Sequence, residues 1–334
     1  MKKTRVAIVG ATGYTGHELI KILHNHSAIE LAYLTTTSSA GKNINEIYPD
    51  FSYLDYMLED FQADKLKAKN IELAFVALPH GEAMNYVDLL LKAGIKVIDL
   101  SADFRFAEVK KYEQVYKPHK FPQLCKQAVY GLPEFFREEI KQASLVANPG
   151  CYVTSCLLPL LPVIKHIENI IIDAKSGVSG AGRKAEDAYM FTNINNNFKA
   201  YAVAKHRHQP EIENYLNQEI EFTPHLLPIS RGILSTIYFD SKKTYEELLD
   251  MLIIKYKEQS FVKVLTKIDP EIKLVAGTNY CYFKLYKASK AGRFIIVSVL
   301  DNLLKGASSQ AIQNMNLMLG LEETTGLTLS TIYP

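Results

Sequence analysis

The feature that most constrains the fold is a glycine-rich turn near the N-terminus. The run TRVAIVG, residues 4–10, has the composition of a buried parallel strand, and YTGHELIKILHNH, residues 14–26, repeats apolar residues on one side of a helix. The loop between them, GATGYTG at residues 10–16, has the spacing GxxGxxG. A glycine loop that follows a strand and opens a helix is typical of α/β folds that bind dinucleotides.

The first half of the chain continues to alternate strand and helix patterns. A helix is predicted over residues 81–93, and further strands are predicted at ELAYLT, ELAFVAL, KVIDLS and SLVAN. This order is characteristic of a doubly wound parallel sheet. The sequence therefore predicts an α/β protein whose residues 1–149 form a Rossmann-type domain.

After residue 150 several strand patterns follow one another without a helix between them. They are NIIIDAKSGV, EFTPHLL, GILSTIYF, NYCYFKLY and RFIIVSVL, and helices are predicted near 151–165, 244–257 and 306–319. This succession of strands predicts a second, α+β domain over residues 150–305, built on a mixed or antiparallel sheet. The C-terminal segment, 306–334, is expected to return to the first domain.

Composition excludes several classes of protein. The 334 residues are 48% hydrophobic and carry a net charge of +2, which gives no reason to expect a nucleic-acid or membrane partner. The apolar run at the start is too short for a signal peptide, so a cytoplasmic protein is expected. No two of the four cysteines have C-x-x-C spacing, which argues against a disulfide framework and a cysteine-bound metal.

The glycine loop also indicates which cofactor to expect. Gly10 allows the tight turn, Gly13 lets the backbone approach a pyrophosphate, and Gly16 permits close packing of helix on strand. The second strand runs into TTTSSAGK, residues 35–42, without the acidic residue that holds the ribose of NAD. Its hydroxyl and ammonium groups favour NADP, although a merely polar loop is the alternative; the candidate contacts are Ser38, Ser39 and Lys42.

The strongest indication of a catalytic residue is a cysteine at a turn. In ANPGCYVTSCLLPLLPVI, residues 147–164, Cys151 follows Pro-Gly and opens a predicted helix. The thiolate is the reactive form of cysteine, and a helix N-terminus lowers a thiol's pKa. The competing interpretation is that Cys151 is a small buried residue of the hydrophobic core. That interpretation is adopted for Cys125, Cys156 and Cys281.

A nucleophilic thiol needs a proton acceptor, and AKHRHQPEIE, residues 204–213, offers candidates. His206, His208 and Glu211 lie close together there, and a histidine pKa suits proton transfer at neutral pH. A metal site would need more ligands than the sequence shows near His-x-His on a strand, so no metal is expected. A surface cluster without a role is the remaining alternative.

A second glycine-rich loop, SGVSGAGRKA at 176–185, ends in Arg183 and Lys184 and could cradle an anion. Arg105, in DLSADFR, is another candidate anion contact. Each could equally be a flexible loop or part of a surface ion pair.

Taken together these segments resemble a known family. GATGYTGHEL, LPHG, DLSADFR, YGLPE, NPGCY, SGVSGAGR, HRHQPEIE and DNLLKGA are similar, in order, to N-acetyl-gamma-glutamyl-phosphate reductases. That family uses NADPH in arginine biosynthesis and is related to aspartate-semialdehyde dehydrogenase. The matching segments run from residue 5 to about residue 318.

The resemblance implies a role for each matching residue. Cys151 would attack the acyl phosphate to give a thioester, with phosphate leaving, and hydride from NADPH would reduce the thioester to the semialdehyde. His208 would be the general acid and base, and His206 and Glu211 would order the site or hold substrate. The expected substrate-binding residues are His206, Glu211, Arg105 and Arg183. The expected cofactor contacts are Gly10, Thr12, Gly13, Tyr14, Thr15, Gly16, Ser38, Ser39, Lys42, Pro79, Ser179, Gly180 and Asn302. The resemblance also implies a homodimer or homotetramer.

Two alternatives remain at this point. An extended short-chain dehydrogenase or epimerase would also use the glycine loop, with Tyr201 and Lys205 of YAVAK as its catalytic pair, but the usual upstream serine is missing. A regulator that binds NADP without turnover would leave Cys151 and His208 unexplained. Within the reductase superfamily, aspartyl phosphate or a protein-carried aminoadipyl phosphate could replace the glutamyl substrate.

Overall fold

The computed structural model describes residues 3–183, 186–327 and 330–331. The chain divides into two compact units. The first contains the chain up to Pro149 together with Ala307–Leu327, and the second contains Gly150–Gly306.

The first unit is built on a parallel sheet. Within the described residues its seven strands are β1 (Thr4–Val9), β2 (Ile29–Thr35), β3 (Leu58–Glu59), β4 (Leu73–Val76), β5 (Lys96–Asp99), β6 (Val129–Tyr130) and β7 (Leu145–Ala147). They lie in the order β3-β2-β1-β4-β5-β7-β6, and every pairing is parallel. The order reverses direction at β1, and in such sheets ligands bind beside the carboxyl ends of the strands at that point.

Helices accompany these strands along the chain. They are α1 (Tyr14–His24), α2 (Ile44–Ile47), α3 (Ala63–Ala68), α4 (Ala83–Lys92), α5 (Val109–Val115), α6 (Pro122–Gln127) and α7 (Pro133–Gln142). The central strands are buried along their length because both faces of a parallel sheet must be covered; β4 has no exposed residue at all. Leu19 and Leu23 of α1 are fully buried.

The second unit is built on a mixed sheet. Its described strands are β8 (Ile167–Gly177), β9 (Lys199–Ala200), β10 (Glu221–Leu227), β11 (Ile233–Ser241), β12 (Val262–Val264), β13 (Cys281–Lys287) and β14 (Arg293–Leu300), in the order β12-β13-β14-β11-β8-β10-β9. β8 pairs in parallel with β10 and antiparallel with β11. The two sheets confirm the predicted fold class.

Helices α8 (Cys151–Leu160), α9 (Phe191–Ile194), α10 (His208–Leu216) and α11 (Tyr245–Tyr256) belong to the second unit. The last helix, α12 (Ser308–Met318), belongs to the first and is buried on every side. Its polar side chains are hydrogen-bonded within that unit, as with Asn316 to His26 at 3.1 Å and Asn314 to the carbonyl of Gly131 at 3.0 Å. Residues 328–329 and 332–334 of the segment expected to return lie outside the described residues.

In the part of the chain that the structure describes, no helix is both long and apolar enough to cross a bilayer.

Candidate functional site

The glycine loop leaves the start of α1 open. Gly10 has φ +93°, and a Cβ there would lie 2.4 Å from the carbonyl oxygen of Ala77, so only glycine fits this turn. Gly13 caps α1 without a side-chain hydrogen bond, and a Cβ added to it would meet nothing within 4 Å. Gly16 is buried against the backbone of the loop, and Tyr14 is exposed. The space beside the cap of α1 is therefore open, and a helix N-terminus with open space beside it suits an anion.

Neighbouring residues hold the loop in place. The hydroxyl of Tyr48 donates to the carbonyl oxygen of Thr12 at 2.8 Å, and the hydroxyls of Thr12 and Thr36 are 3.4 Å apart. The hydroxyl of Ser308, at the start of α12, donates to the carbonyl oxygen of Thr15 at 3.0 Å. The loop is thus fixed from both sides within the first unit.

A cavity of about 500 Å³ lies beside this loop, at the carboxyl ends of β1, β2 and β4. Its lining residues are Val9, Gly10, Thr35, Thr36, Thr37, Asp60, Phe61, Leu78, Asn85, Tyr86 and Leu89. Sequence reasoning did not identify Asp60 and Phe61, because they follow β3, a strand of only two residues. The rings of Phe61 and Tyr86 meet edge to face, with centroids 4.9 Å apart.

The residues predicted to select NADP lie at the rim of this region. Ser38 and Lys42 are exposed, and Ser39 is half-buried. The backbone N–H of Ser38 donates to the hydroxyl of Thr36 at 3.3 Å, which connects the predicted segment to the cavity lining. Pro79, after β4, is exposed.

The segment DLSADFR forms a buried polar loop. The carboxylate of Asp103 accepts hydrogen bonds from the N–H groups of Gly81 (2.6 Å) and Met84 (3.0 Å) and from the hydroxyl of Tyr112 (2.8 Å). Burial, together with the charge of Asp103, raises the pKa of Asp99 to about 7. Asp103 thus satisfies backbone donors at the start of α4.

Arg105 is almost fully buried in the same loop. Its Nε donates to the carbonyl oxygen of Asn148 at 2.8 Å, and one Nη donates to the carbonyl oxygen of Leu100 at 3.1 Å. Asn148 precedes the Pro-Gly-Cys turn in the sequence. These bonds hold the backbone on either side of the loop, and the anion contact that the resemblance implies for Arg105 stays a prediction.

Cys151 is the first residue of α8, and its cap residue is Gly150, which makes no side-chain hydrogen bond. The residue is half-buried, whereas Cys125, Cys156 and Cys281 are buried. Burial raises the pKa of Cys156 to about 12 and that of Cys125 to about 11, which keeps those thiols protonated. Of the four thiols, Cys151 alone combines access with a helix N-terminus.

His208 packs directly against this helix start. A Cβ built on Gly150 would lie 2.6 Å from Nε2 of His208, so the imidazole occupies the space that any other side chain would need. On the other side of Cys151, a Cβ on Gly306 would lie 2.8 Å from the Cβ of Cys151. Two glycines therefore bring an imidazole nitrogen and a second backbone segment close to the thiol-bearing residue.

Glu211, on α10 like His208, is fully buried. Its Oε1 accepts a hydrogen bond from the N–H of Gly150 at 3.1 Å, across 61 residues of sequence. The bond joins the start of α8 to the first turns of α10. Its burial favours the first of the two roles expected for Glu211, ordering the site, over holding substrate.

His206 lies in a turn immediately before α10. Its Nδ1 accepts a hydrogen bond from the backbone N–H of His208 at 3.1 Å, and the two rings meet edge to face at 4.8 Å. Burial, with the nearby charge of Arg207, lowers the pKa of His206 to about 4. The alternative of a His-x-His metal pair on a strand is not supported, because His208 begins a helix.

The second glycine-rich loop is held by Asn302. The amide nitrogen of Asn302 donates to the hydroxyl of Ser179 at 2.9 Å, and its Oδ1 accepts from the N–H of Gly232 at 2.6 Å. A Cβ on Gly180 would lie 3.7 Å from that same amide nitrogen. Arg183 is exposed, and Lys184 lies outside the described residues.

Asp301, which sequence reasoning missed, anchors this region. It is fully buried, and its carboxylate accepts from the N–H groups of Gly277 (2.8 Å) and Leu303 (2.9 Å) and pairs with Arg231 at 3.3 Å. The only signal in the sequence was its position beside Asn302 in DNLLKGA.

The Tyr-x-x-x-Lys alternative does not have the required geometry. Residues 201–205 form a turn in which Ala202 and Ala204 have positive φ, so Tyr201 and Lys205 do not lie on one helix face. The hydroxyl of Tyr201 donates to that of Tyr152 at 3.3 Å, and burial raises the pKa of Tyr201 to about 12. The alternative mechanism requires a lowered tyrosine pKa.

Comparison with known proteins gives two matching family descriptions. Residues 5–143 match "Semialdehyde dehydrogenase, NAD binding domain", and residues 151–302 match "Semialdehyde dehydrogenase, dimerisation domain". The first match confirms that the first unit contains a nicotinamide dinucleotide-binding domain. The second supports an oligomer.

Full-length relatives are similar to this chain. It is 47% identical over 99% of both chains to the N-acetyl-gamma-glutamyl-phosphate reductase of Pelotomaculum thermopropionicum, and 46% identical over 99% of both to that of Geotalea daltonii. A probable chloroplastic enzyme of the same name from Arabidopsis thaliana is 43% identical, over all of this chain and 86% of its own.

Solved structures share the fold. Aspartate semialdehyde dehydrogenase II from Vibrio cholerae superposes with a TM-score of 0.74 at 17% identity, over 96% of this chain and 99% of its own. Aspartate semialdehyde dehydrogenase with NADP from Candida albicans superposes with a TM-score of 0.71 at 14% identity, over 95% of this chain and 99% of its own.

Proposed function

The chain belongs to the N-acetyl-gamma-glutamyl-phosphate reductase family, and on that premise we propose that it reduces N-acetyl-gamma-glutamyl phosphate to N-acetylglutamate semialdehyde. The reaction uses NADPH, releases inorganic phosphate and serves arginine biosynthesis. The observation that carries this proposal is the position of Cys151 at the start of α8, with Nε2 of His208 against the preceding glycine.

Cys151 is the nucleophile in this proposal. Its thiolate attacks the acyl carbon, the tetrahedral intermediate collapses, and the bond to phosphate breaks to leave a thioester. The N-terminus of α8 favours the thiolate because the partial positive charge of a helix N-terminus stabilises negative charge. The N–H of Gly150, which precedes this helix, donates to Glu211.

His208 is the general acid and base. After reduction of the thioester it gives a proton to the developing alkoxide, and it takes that proton back when the thiohemiacetal collapses, as the C–S bond breaks to release the aldehyde and the Cys151 thiolate. His206 is a poor base at neutral pH, since burial lowers its pKa to about 4 and its Nδ1 already accepts the His208 N–H. These two facts support His208 over His206 for proton transfer.

The first unit has a site that fits a dinucleotide. The open start of α1 suits its pyrophosphate, and the neighbouring cavity of about 500 Å³ suits the adenosine. Gly10, Gly13 and Thr36 would contact the cofactor, and the polar groups at Ser38, Ser39 and Lys42 support the 2′-phosphate of NADP over NAD. When bound, the nicotinamide supplies the hydride.

Phosphate-dependent reduction of NADP by N-acetylglutamate semialdehyde, the reverse reaction, tests this proposal. Wild type and Cys151→Ser are compared, with aspartate semialdehyde as the control substrate. We expect turnover that requires both phosphate and Cys151 and that favours the N-acetyl substrate. NADPH binding without turnover of either aldehyde would contradict the proposal and favour the non-catalytic regulator.

The match to a dimerisation domain supports a homodimer or homotetramer, which sedimentation of the purified chain would distinguish. A cytoplasmic location remains a prediction of the sequence.

A further inference from the structure

Two neighbouring acidic residues at the end of β3 have different surroundings. Glu59 pairs with Lys65 at 3.0 Å and with Lys69 at 3.6 Å. Asp60 instead lines the cavity of about 500 Å³ beside the glycine loop, and among the described lining residues it is the only charged one. Its carboxylate has no hydrogen bond or ion pair to any residue that the structure describes. A ligand in this cavity therefore meets one negatively charged acceptor.

The backbone of Asp60 is held by the neighbouring strand. The hydroxyl of Tyr33, a buried residue of β2, donates to the carbonyl oxygen of Asp60 at 2.8 Å. Burial, together with the charges of Glu59 and Asp60, raises the pKa of Tyr33 to about 12, so this hydroxyl stays protonated at neutral pH and remains a donor. The carboxylate of Asp60 is therefore attached to a fixed point in the cavity wall.

Two aromatic rings line the same cavity. Phe61 is the residue after Asp60, and Tyr86 belongs to α4. Their ring centroids are 4.9 Å apart and their planes stand at 82° to each other, so the two rings form a corner. Both side chains are half-buried. Aromatic rings stack on flat groups such as purine bases, so the cavity combines a surface for a base with an acceptor on the adjacent residue.

The order of the strands indicates which part of a dinucleotide reaches Asp60. In a sheet of this type the pyrophosphate binds at the loop after β1, and the ribose binds at the end of β2. β3 lies on the far side of β2, in the order β3-β2-β1. A base attached to that ribose would therefore extend towards the end of β3, where Asp60 and Phe61 lie. Because a carboxylate repels a phosphate, Asp60 suits the base better than the 2′-phosphate.

We propose that the carboxylate of Asp60 accepts a hydrogen bond from the exocyclic amine of the cofactor's adenine, whose ring stacks in the corner formed by Phe61 and Tyr86. This inference rests on the proposed function, and it names the residue that distinguishes adenine from other purines. The amine of adenine is a donor, whereas guanine and hypoxanthine carry a carbonyl oxygen at the same position, which a carboxylate repels. Asp60 thereby selects adenine.

Binding of NADPH and of its hypoxanthine analogue, measured by fluorescence titration, tests the assignment without turnover. The two nucleotides carry the same phosphates, so the ratio of their Kd values does not respond to a general change in the charge of the protein. Wild type should bind the analogue about tenfold more weakly than NADPH. Asp60→Ala should weaken NADPH binding by a similar factor and bring the two Kd values within about twofold of each other.

Two further variants complete the comparison. Asp60→Asn keeps the shape of the side chain and adds an amide donor that accommodates a carbonyl oxygen, so its two Kd values should also agree within about twofold. Asp64→Ala, which removes an exposed carboxylate from the first turn of α3, should keep the wild-type ratio.

The same ratio in wild type and in Asp60→Ala would overturn the inference, because it would mean that Asp60 does not face the amine. Failure of the wild type to bind NADPH would overturn it as well. The expected ratios without turnover of the N-acetyl substrate would instead refute the proposed function alone.

Discussion

The two glycine-capped helix starts, at α1 and α8, resemble each other in backbone and differ in what surrounds them. Gly13 and Gly150 both have extended dihedral angles, and neither cap carries a side-chain hydrogen bond. A Cβ on Gly13 would meet nothing within 4 Å, whereas one on Gly150 would collide with His208. The same local structure is left open in the first unit and closed by an imidazole in the second.

This difference shows how one physical property serves two purposes. A helix N-terminus attracts negative charge, whatever the source of that charge. The open start of α1 is suited to a phosphate that arrives with a ligand. In the proposed mechanism the start of α8 instead carries its own anion, the thiolate of Cys151, and His208 beside Gly150 is the proton acceptor.

The largest expected effect comes from removing the anion at the second helix start. Cys151→Ala should lower the rate of phosphate-dependent NADP reduction at least ~10³-fold, because no other nucleophile is positioned there. The affinity for NADPH, measured by fluorescence titration, should stay within about twofold of wild type. An equal loss of cofactor binding would mean that Cys151 is a structural residue.

A matched pair of substitutions tests the crowding at the two caps. Gly150→Ala should lower kcat roughly 100-fold, because its Cβ must displace the His208 ring by an ångström or more. The backbone angles of Gly150, φ −66° and ψ 149°, suit alanine, so the loss reflects the displaced ring.

The matched control is Gly13→Ala. It should leave kcat near wild type and raise KM for NADP about tenfold. The reason is that the added methyl group enters the open space in which the proposal places the pyrophosphate of the cofactor. Equal effects of the two substitutions on kcat would remove the distinction between an open and a closed helix start.

The free energy of unfolding should also depend on pH, because His206 lies in the closed site. The folded-state pKa of His206 is about 4, below its ordinary 6.5, so the unfolded chain binds more protons between these values and stability is lost as pH falls from about 6.5 towards 4. Between pH 8 and pH 5 this loss amounts to about 2 kcal/mol. Urea unfolding at both pH values should show that His206→Gln removes this part of the pH dependence, while His24→Gln, at an exposed site, leaves it intact.

The smallest effect is expected at Glu211. Glu211→Gln keeps an oxygen that can accept the Gly150 N–H and removes only the charge, so kcat should fall about three- to tenfold with KM unchanged. A rise in KM at constant kcat would indicate contact with the substrate. Steady-state kinetics with the N-acetyl substrate separate the two results.

Much of the fold follows from local patterns in the sequence. Continuous apolar runs specify β1, β4 and β5, since strands buried on both faces of a sheet cannot alternate in polarity. The two-residue strands β3 and β6 were not predicted, because so short a segment has no period. This omission concealed Asp60 and Phe61, which line the cavity beside the glycine loop.

The residues of the candidate site could be predicted from the sequence, but their contacts could not. Residue types and spacing pointed to Cys151, His206 and His208. The bond between Glu211 and Gly150 joins residues 61 positions apart, and only folding brings them together. The neutral state of His206 depends on burial and on a backbone donor, neither of which a sequence pattern reports.

The most direct test of the central claim is to look for the covalent intermediate. The chain is incubated with N-acetyl-gamma-glutamyl phosphate in the absence of NADPH, quenched in acid, and digested for mass spectrometry. The proposal predicts an N-acetylglutamyl group on the peptide that contains Cys151, absent from Cys151→Ala and discharged when NADPH is added. An unmodified Cys151 in enzyme that turns over the same substrate would contradict it.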